Sequence, residues 1–363
     1  MRTRGKVILG GLAAGTILSG AAAGLGVALA VRRAFRLYNA LRFQPLLGFH
    51  GPEDMRGQTV LITGSSRGLG LALAEEFAHH GCNLVLCARN ERELTRARQQ
   101  VESLGAEVLA VRCDVSKPEE VDHLLHVARR QFGRIDILVN NAGIISVGPL
   151  QAHTLGDFHE AMDVIFWGMV YPTLAVLPAM IEYGRGRIVN ITSIGGKVSM
   201  PHTLPYNCAK FATVGFSEGL HAELRRFGVR VLTVVPGLMR TGSHVNAHFK
   251  GDHEGEYRWF ATGATNPLIS MAAERAARKI VEATRRNQAE IVLGWQAQAL
   301  SHAHHLSPGL VAEALGLVNL VLPRHDSHRK KRGHESESAL TRSALTALGR
   351  RAARRYNQLE EAA

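Results

Sequence analysis

The chain has four cysteines in 363 residues, Cys82, Cys87, Cys113 and Cys208, and no Cys-x-x-Cys pair. That excludes a disulfide scaffold and the common zinc spacings. Three of the four fall within or beside apolar runs, where a free cysteine behaves as a small hydrophobe, so reduced thiols in a cytosol-facing domain are expected. Metal ligands are also scarce: His302, His304 and His305 lie close together without acidic or cysteine partners, and read as a polar patch, so no metal site is expected. Aromatic residues make up only 6% of the chain. Neither a zinc-finger spacing nor an aromatic RNA-binding signature is present, so no nucleic acid is expected as a partner. Acidic residues are outnumbered, 31 against 43 Lys plus Arg, a net charge of +12. The surplus gathers at the two ends, as Arg2, Arg4, Lys6, Arg32, Arg33 and Arg36, then as 329–332 and Arg350, Arg351, Arg354 and Arg355. Such placement describes membrane-flanking and tail segments before it describes a binding face.

What is present suits one large folded domain with appended segments, since 46% of residues are apolar. Residues 7–31 carry no charge and would span roughly 37 Å as a helix, enough to cross a bilayer. A basic start followed by an apolar run also describes a secretory signal. The length of the run and the basic flank after it favour a single-pass N-terminal membrane anchor, assigned with its flanks to residues 1–36. Positive charges balance across the run, so the charge rule does not orient it; the nicotinamide chemistry below points to a cytoplasmic catalytic domain. Gly11-x-x-x-Gly15 and Gly20-x-x-x-Gly24 carry no argument in so glycine-rich a stretch. Residues 37–55 read as a connector.

From residue 56 onward, short apolar runs at 59–62, 83–86, 108–111, 135–139, 187–191, 229–235 and 290–293 alternate with helical stretches such as 70–80 and 91–104. That alternation predicts an α/β fold, a doubly wound Rossmann-type parallel sheet, as a single domain over 56–325. Residues 326–363 read as a basic tail, either flexible or an amphipathic helix against a membrane surface.

The first strand runs into Thr63-Gly64-Ser65-Ser66-Arg67-Gly68-Leu69-Gly70 and then a helix. Strand, glycine turn and helix aim backbone N–H groups and the positive helix end at a phosphate. Arg89 follows the second strand, where a carboxylate would bind the 2′-hydroxyl of NAD; an arginine there suits a 2′-phosphate, and Arg67 adds a second cation. NADP(H) is therefore the expected cofactor. Tyr206-x-x-x-Lys210 would arise by chance about 0.13 times in a chain with six Tyr and eight Lys. On a helix these positions share a face, so the ammonium of Lys210 is expected to favour the phenolate of Tyr206. A phenol with a pKa near 10 needs such help to exchange protons at neutral pH.

The ordered motifs, Thr63 to Gly70, Asn140-Asn141-Ala142-Gly143, Ser193, Tyr206 with Lys210, then Pro236-Gly237 with Thr241, resemble those of the short-chain dehydrogenase/reductase family. The likeness covers residues 56 to 245. It implies an NADP(H)-dependent oxidoreductase that interconverts an alcohol and a ketone or aldehyde, with Ser193, Tyr206 and Lys210 catalytic. Ser193 would polarise the substrate oxygen, and Lys210 would also hold the cofactor ribose. Cofactor contacts are implied at Gly64, Ser66, Arg67, Gly68, Leu69, Gly70, Arg89, Asp114, Val115, Asn141, Ala142, Gly143, Tyr206, Lys210, Pro236, Gly237 and Thr241. The family also implies a homodimer formed through helices beside the sheet.

One position departs from the pattern. Where the family places an asparagine that holds a relay water, this chain has Ile165, which can neither donate nor accept a hydrogen bond. A cofactor-binding membrane protein with weak turnover is therefore the alternative reading. After Thr241, a lid over about 242–270 carries Phe249, Tyr257, Trp259 and Phe260, and with the anchor it suggests a lipophilic substrate. A membrane-surface adaptor working through the basic tail is a third reading.

Overall fold

A computed structural model describes residues 52–338, 341 and 346–359. The expected anchor at 7–31, its flanks and most of the connector lie outside the described residues.

Seven strands form one parallel sheet: β1 (Thr59–Thr63), β2 (Asn83–Ala88), β3 (Val108–Arg112), β4 (Ile137–Asn140), β5 (Gly186–Ile191), β6 (Val229–Pro236) and β7 (Glu290–Leu293), in the order β7-β6-β5-β4-β1-β2-β3. These elements match the apolar runs in the sequence. Helices cover both faces, which explains why the strands are apolar throughout instead of alternating. On one face, α1 (Gly68–His79), α2 (Glu91–Glu102) and α8 (Ala273–Arg285) bury Leu71, Phe77, Leu94 and Ile280 against the sheet. On the other, α3 (Pro118–Phe132), α5 (Gly168–Glu182) and α6 (Leu204–Leu224) bury Leu124, Val176 and Leu224. A fully buried Leu, Val or Phe contributes about 1.5–3 kcal/mol, more than a helix cap at about 1 kcal/mol, so these two layers dominate the stability.

Local signals place the helix ends. Helix α3 starts with Pro118 and Glu119–Glu120, ends with Arg129 and Arg130, and stops at Gly133, whose φ of 79° favours glycine. Helix α4 (Leu155–Ala161) runs through a π turn, Met162–Trp167, into α5. Together Leu155–Glu182 is long and apolar enough to cross a membrane, but half of its apolar window is buried in the fold. Its composition is that of a core helix packed on α3 and α6.

Chain progress reverses between β1 and β4: the first crossovers build outward to β3, and the later ones build the other way from β4. The carboxyl ends of β1 and β4 therefore open a crevice at the switch point. Beyond the sheet lie α7 (His253–Thr265), α9 (Trp295–Leu306), α10 (Pro308–Asn319) and α11 (Ala347–Arg355).

The basic tail differs from a flexible or membrane-lying segment over 347–359. Ala353 and Tyr356 are buried, and Arg355 makes a two-pronged pair with Glu75 of α1 at 2.7 and 3.0 Å. A nine-residue helix is marginal by itself, so this one is held by the tertiary contacts it makes.

Candidate active site

Gly64, at φ 64°, turns the chain out of β1. A Cβ there would stand 2.8 Å from the Cα of Ala142, so only glycine lets the turn pass the end of β4. Thr63 Oγ1 accepts the N–H groups of Asn141 and Ala142 at 2.9 and 3.0 Å. The Asn141 side chain donates to Thr63 O and Gly64 O at 2.9 and 3.0 Å. The glycine turn and residues 141–142 are thus tied into one rim. Helix α1 begins beside it with no side-chain cap, which leaves its positive end facing the crevice.

The crevice holds a cavity of about 970 Å³. Every predicted site residue except Gly70 lines it: Gly64 and Ser66 to Leu69 of the turn, Arg89, Asp114 and Val115, Asn141 to Gly143, Ser193, Tyr206, Lys210, Pro236, Gly237 and Thr241. Gly70 is not a lining residue. A Cβ on it would meet Gly64 O and stand 2.6 Å from Asn141 Nδ2, so this glycine lets α1 pack against the turn.

Ser193 lies just past β5, and Tyr206 and Lys210 stand one helical turn apart near the start of α6. Ser193 Oγ accepts the Gly195 N–H at 3.0 Å. Burial pushes the Tyr206 phenol above its usual value, and the hydrogen bond with Ser193 works in the opposite direction. Burial lowers the Lys210 amine to about 7; its Nζ donates to Ile191 O at 2.8 Å and lies 5.8 Å from the centre of the Tyr206 ring. The Lys210 amine thus stands beside the Tyr206 ring while its hydrogen bond goes to the Ile191 carbonyl. Desolvation is what lowers the amine, and the Ser193 hydroxyl favours ionisation of the phenol. Ile165 is buried beside Tyr206 and Ala209, so hydrocarbon occupies the flank of the tyrosine.

At the far end of the cavity Arg89 is exposed and makes no ion pair with any described residue. The sequence reading placed no carboxylate here, but Glu93 in the first turn of α2 folds back. It pairs with Arg67 at 3.1 Å and accepts from Ser66 Oγ at 3.2 Å and Asn90 Nδ2 at 3.1 Å. Helix geometry, not strand position, delivers it.

The aromatic lid divides. Trp259 and Phe260 line the cavity, whereas Phe249 and Tyr257 are buried in a small core beneath it. Trp259 Nε1 donates to Glu256, whose other oxygen meets His202 Nδ1, both at 2.7 Å. Sequence reasoning missed Asn246, Gln296, Leu300, Arg332 and Gln358, which also line the cavity. No motif marks these positions; topology brings them there. Among the described residues, no group of three or more His, Cys, Asp or Glu is placed to hold a metal. His302 and His305 instead meet the carbonyls of Gln298 and Ser301 in their own helix.

A crevice of this form at a switch point, lined by a glycine turn and by Ser, Tyr and Lys, defines an oxidoreductase of dinucleotide-binding architecture. The profile described as short chain dehydrogenase matches residues 58–250, and the chain belongs to that family. It is 37% identical over 256 residues to 11-beta-hydroxysteroid dehydrogenase A of Sesamum indicum, covering 68% of this chain and 71% of that one. L-sorbose reductase from Gluconobacter frateurii, solved with NADPH and L-sorbose, is 28% identical, with a TM-score of 0.57 over 66% of this chain and 96% of that one. A short-chain dehydrogenase/reductase from Burkholderia phymatum, solved with NAD, is 26% identical, with a TM-score of 0.63 over 71% and 96%.

Proposed function

We propose that this oxidoreductase uses NADP(H) to interconvert a lipophilic alcohol and its ketone or aldehyde. The observation that carries the reading is the convergence of Ser193, Tyr206 and Lys210 on one cavity with the glycine turn and the unpaired Arg89. The residues fit a dinucleotide: the start of α1, which has no side-chain cap, and the close approach at Gly64 suit a pyrophosphate, and Arg89 suits a 2′-phosphate. Both nicotinamide cofactors occur among the similar structures, so the choice of NADP(H) rests on Arg89 and, in part, on Arg67, whose charge Glu93 shares.

When bound, the nicotinamide supplies or accepts the hydride. Tyr206 gives its phenolic proton to the substrate oxygen in reduction and takes it back in oxidation. Ser193 Oγ orients that oxygen, and its hydrogen bond eases ionisation of the phenol. Lys210 holds the ribose hydroxyls and returns protons toward Tyr206. Ile144, Val164, Leu238, Trp259, Phe260 and Leu300 give the substrate end an apolar wall, which supports a lipophilic substrate. Titrating the protein with NADPH and NADH, then screening lipophilic ketones for NADPH oxidation, tests the reading. Tyr206→Phe should keep NADPH affinity and lose about 10²–10⁴-fold in turnover; unchanged turnover in that variant would falsify the assignment.

Ile165 favours one second reading, a cofactor-binding protein with weak turnover. It fills the position next to Tyr206 with hydrocarbon, and Lys210 spends a hydrogen bond on Ile191 O.

For the whole molecule we propose a single-pass anchor at 7–31 with the catalytic domain on the cytoplasmic side. A second apolar feature supports a bilayer at the cavity mouth. Residues 295–321 contain one formally charged side chain, Glu313, yet Leu306, Leu310, Leu317 and Val321 are 67–88% exposed. Helix α9 also supplies Gln296, Ala297 and Leu300 to the cavity wall. Arg324 and Arg329 follow the hairpin and suit anionic headgroups. A homodimer is proposed through α5 and α6, which expose Trp167 beside them, Leu174 and Phe211.

A further inference from the structure

The last described residues cross the glycine turn. Gly68 N–H donates to Tyr356 O at 2.9 Å, and Asn357 Nδ2 donates to Ser66 O at 3.3 Å. Asn357 itself sits at φ 52°, a left-handed turn that asparagine tolerates, and this turn folds the following residue inward. Gln358 is 6% exposed and lines the cavity. Its N–H donates back to Ala353 O at 2.8 Å, which fixes its backbone on the end of α11.

The amide orientation of Gln358 follows from its partner. Asn246 Nδ2 donates to the backbone carbonyl of Gln358 at 2.7 Å, and a carbonyl can only accept, so that nitrogen is a donor. The same Nδ2 donates to Gln358 Oε1 at 2.8 Å. The other end of the amide, Nε2, therefore turns toward the glycine turn and has no hydrogen-bond partner among the described residues. It lies 2.7 Å from where a Cβ on Gly68 would stand, and Thr241 lies 3.9 Å from that same point. A residue 94% buried thus presents the two N–H donors of Nε2 to the cavity between the glycine turn and Thr241, beside the start of α1, whose first N–H Tyr356 O takes. Nε2 keeps access to the cavity, and an anion bound there would accept from it.

We propose that the C-terminal strap completes the phosphate site of the cleft, with Gln358 donating to a pyrophosphate oxygen of the bound dinucleotide. Asn246 is the positioning residue that holds the amide in that orientation, and Tyr356 anchors the strap against Gly68. The proposal rests on the reading of the cleft as a dinucleotide site. It adds a ligand from the far end of the sequence, outside the segment that matches the family.

The test measures equilibrium affinity on the full detergent-solubilised chain, by calorimetry, for NADPH and for adenosine 2′-monophosphate. The second nucleotide carries the 2′-phosphate and no pyrophosphate. Gln358→Ala should bind NADPH about tenfold more weakly and adenosine 2′-monophosphate unchanged. Gln358→Glu, which sets a carboxylate against the pyrophosphate, should lose more. Equal NADPH affinity in wild type and Gln358→Ala would overturn the proposal. So would tighter binding in the variant, which would make the strap a competitor of the nucleotide. A parallel loss for both nucleotides would reduce Gln358 to a structural support. Wild-type protein that binds neither NADPH nor NADH would overturn the parent reading, and this one with it.

Discussion

Lys210 sets a pH dependence that belongs to one residue. Its amine titrates at about 7 in the fold, against 10.5 in an exposed chain, because burial disfavours the ammonium. Between about pH 7 and 10.5 the unfolded chain holds a proton that the folded chain has released, so this group's contribution to stability rises with pH across that window. Below pH 7 both forms are protonated, and the full cost of burying the cation stands. In nucleotide-free protein, Lys210→Met should therefore melt above wild type at pH 6, with a margin that shrinks toward pH 10. A margin constant across that range would show that the charge is not what burial penalises. Ile165 makes a second prediction at this scale. Replacing buried hydrocarbon by an amide costs about 1–3 kcal/mol, so Ile165→Asn should melt lower while gaining a polar route beside Tyr206. If weak turnover is the native state, kcat rises in this variant with NADPH affinity unchanged; a fall in kcat would set Ile165 aside as the limit.

At the scale of elements, Gly70 belongs to packing. Gly70→Ala would force α1 away from Gly64 O and Asn141, at a cost of about 1–3 kcal/mol, and should lower both the melting temperature and the affinity for NADPH. A variant with normal affinity and normal melting would show that the turn can move aside. The strands and the site motifs were legible because each is local: a run of apolar residues buried on both faces, or a glycine turn between strand and helix. Ser193, Tyr206 and Lys210 were legible for the same reason, each lying at a fixed offset from a strand or within one helical turn. Glu93 was not, since its approach to Arg67 depends on how α2 leaves β2. The separation of Trp259 and Phe260 from Phe249 and Tyr257 was also hidden, because packing decides both which face of α7 meets the cavity and where Phe249, ahead of that helix, is buried. Helix α11 was the least legible element. Its sequence reads as a basic tail, flexible or an amphipathic helix on a membrane surface, and what holds the helix to the fold is Ala353, Tyr356 and the Arg355–Glu75 pair.

For the whole molecule, the two apolar surfaces separate by experiment. Protein lacking residues 1–50 should still sediment with vesicles of mixed neutral and anionic lipid, and Leu310→Glu with Leu317→Glu should release it. Retention of that double variant on vesicles would remove the α9–α10 hairpin from the membrane reading. In analytical ultracentrifugation without lipid, Phe211→Glu should shift a dimer toward monomer, whereas the hairpin variant should not.

The contact between Ser66 and Asn357 joins positions 291 residues apart. During synthesis the seven strands and the Ser-Tyr-Lys cluster are all made before residue 300, and domains tend to fold as their residues emerge. The rim over the glycine turn, however, waits for residues 346–359, which are made more than fifty residues after β7. A nascent chain that has not yet reached Tyr356 would therefore carry a complete sheet with an open crevice, and the rim would close only once the strap is made.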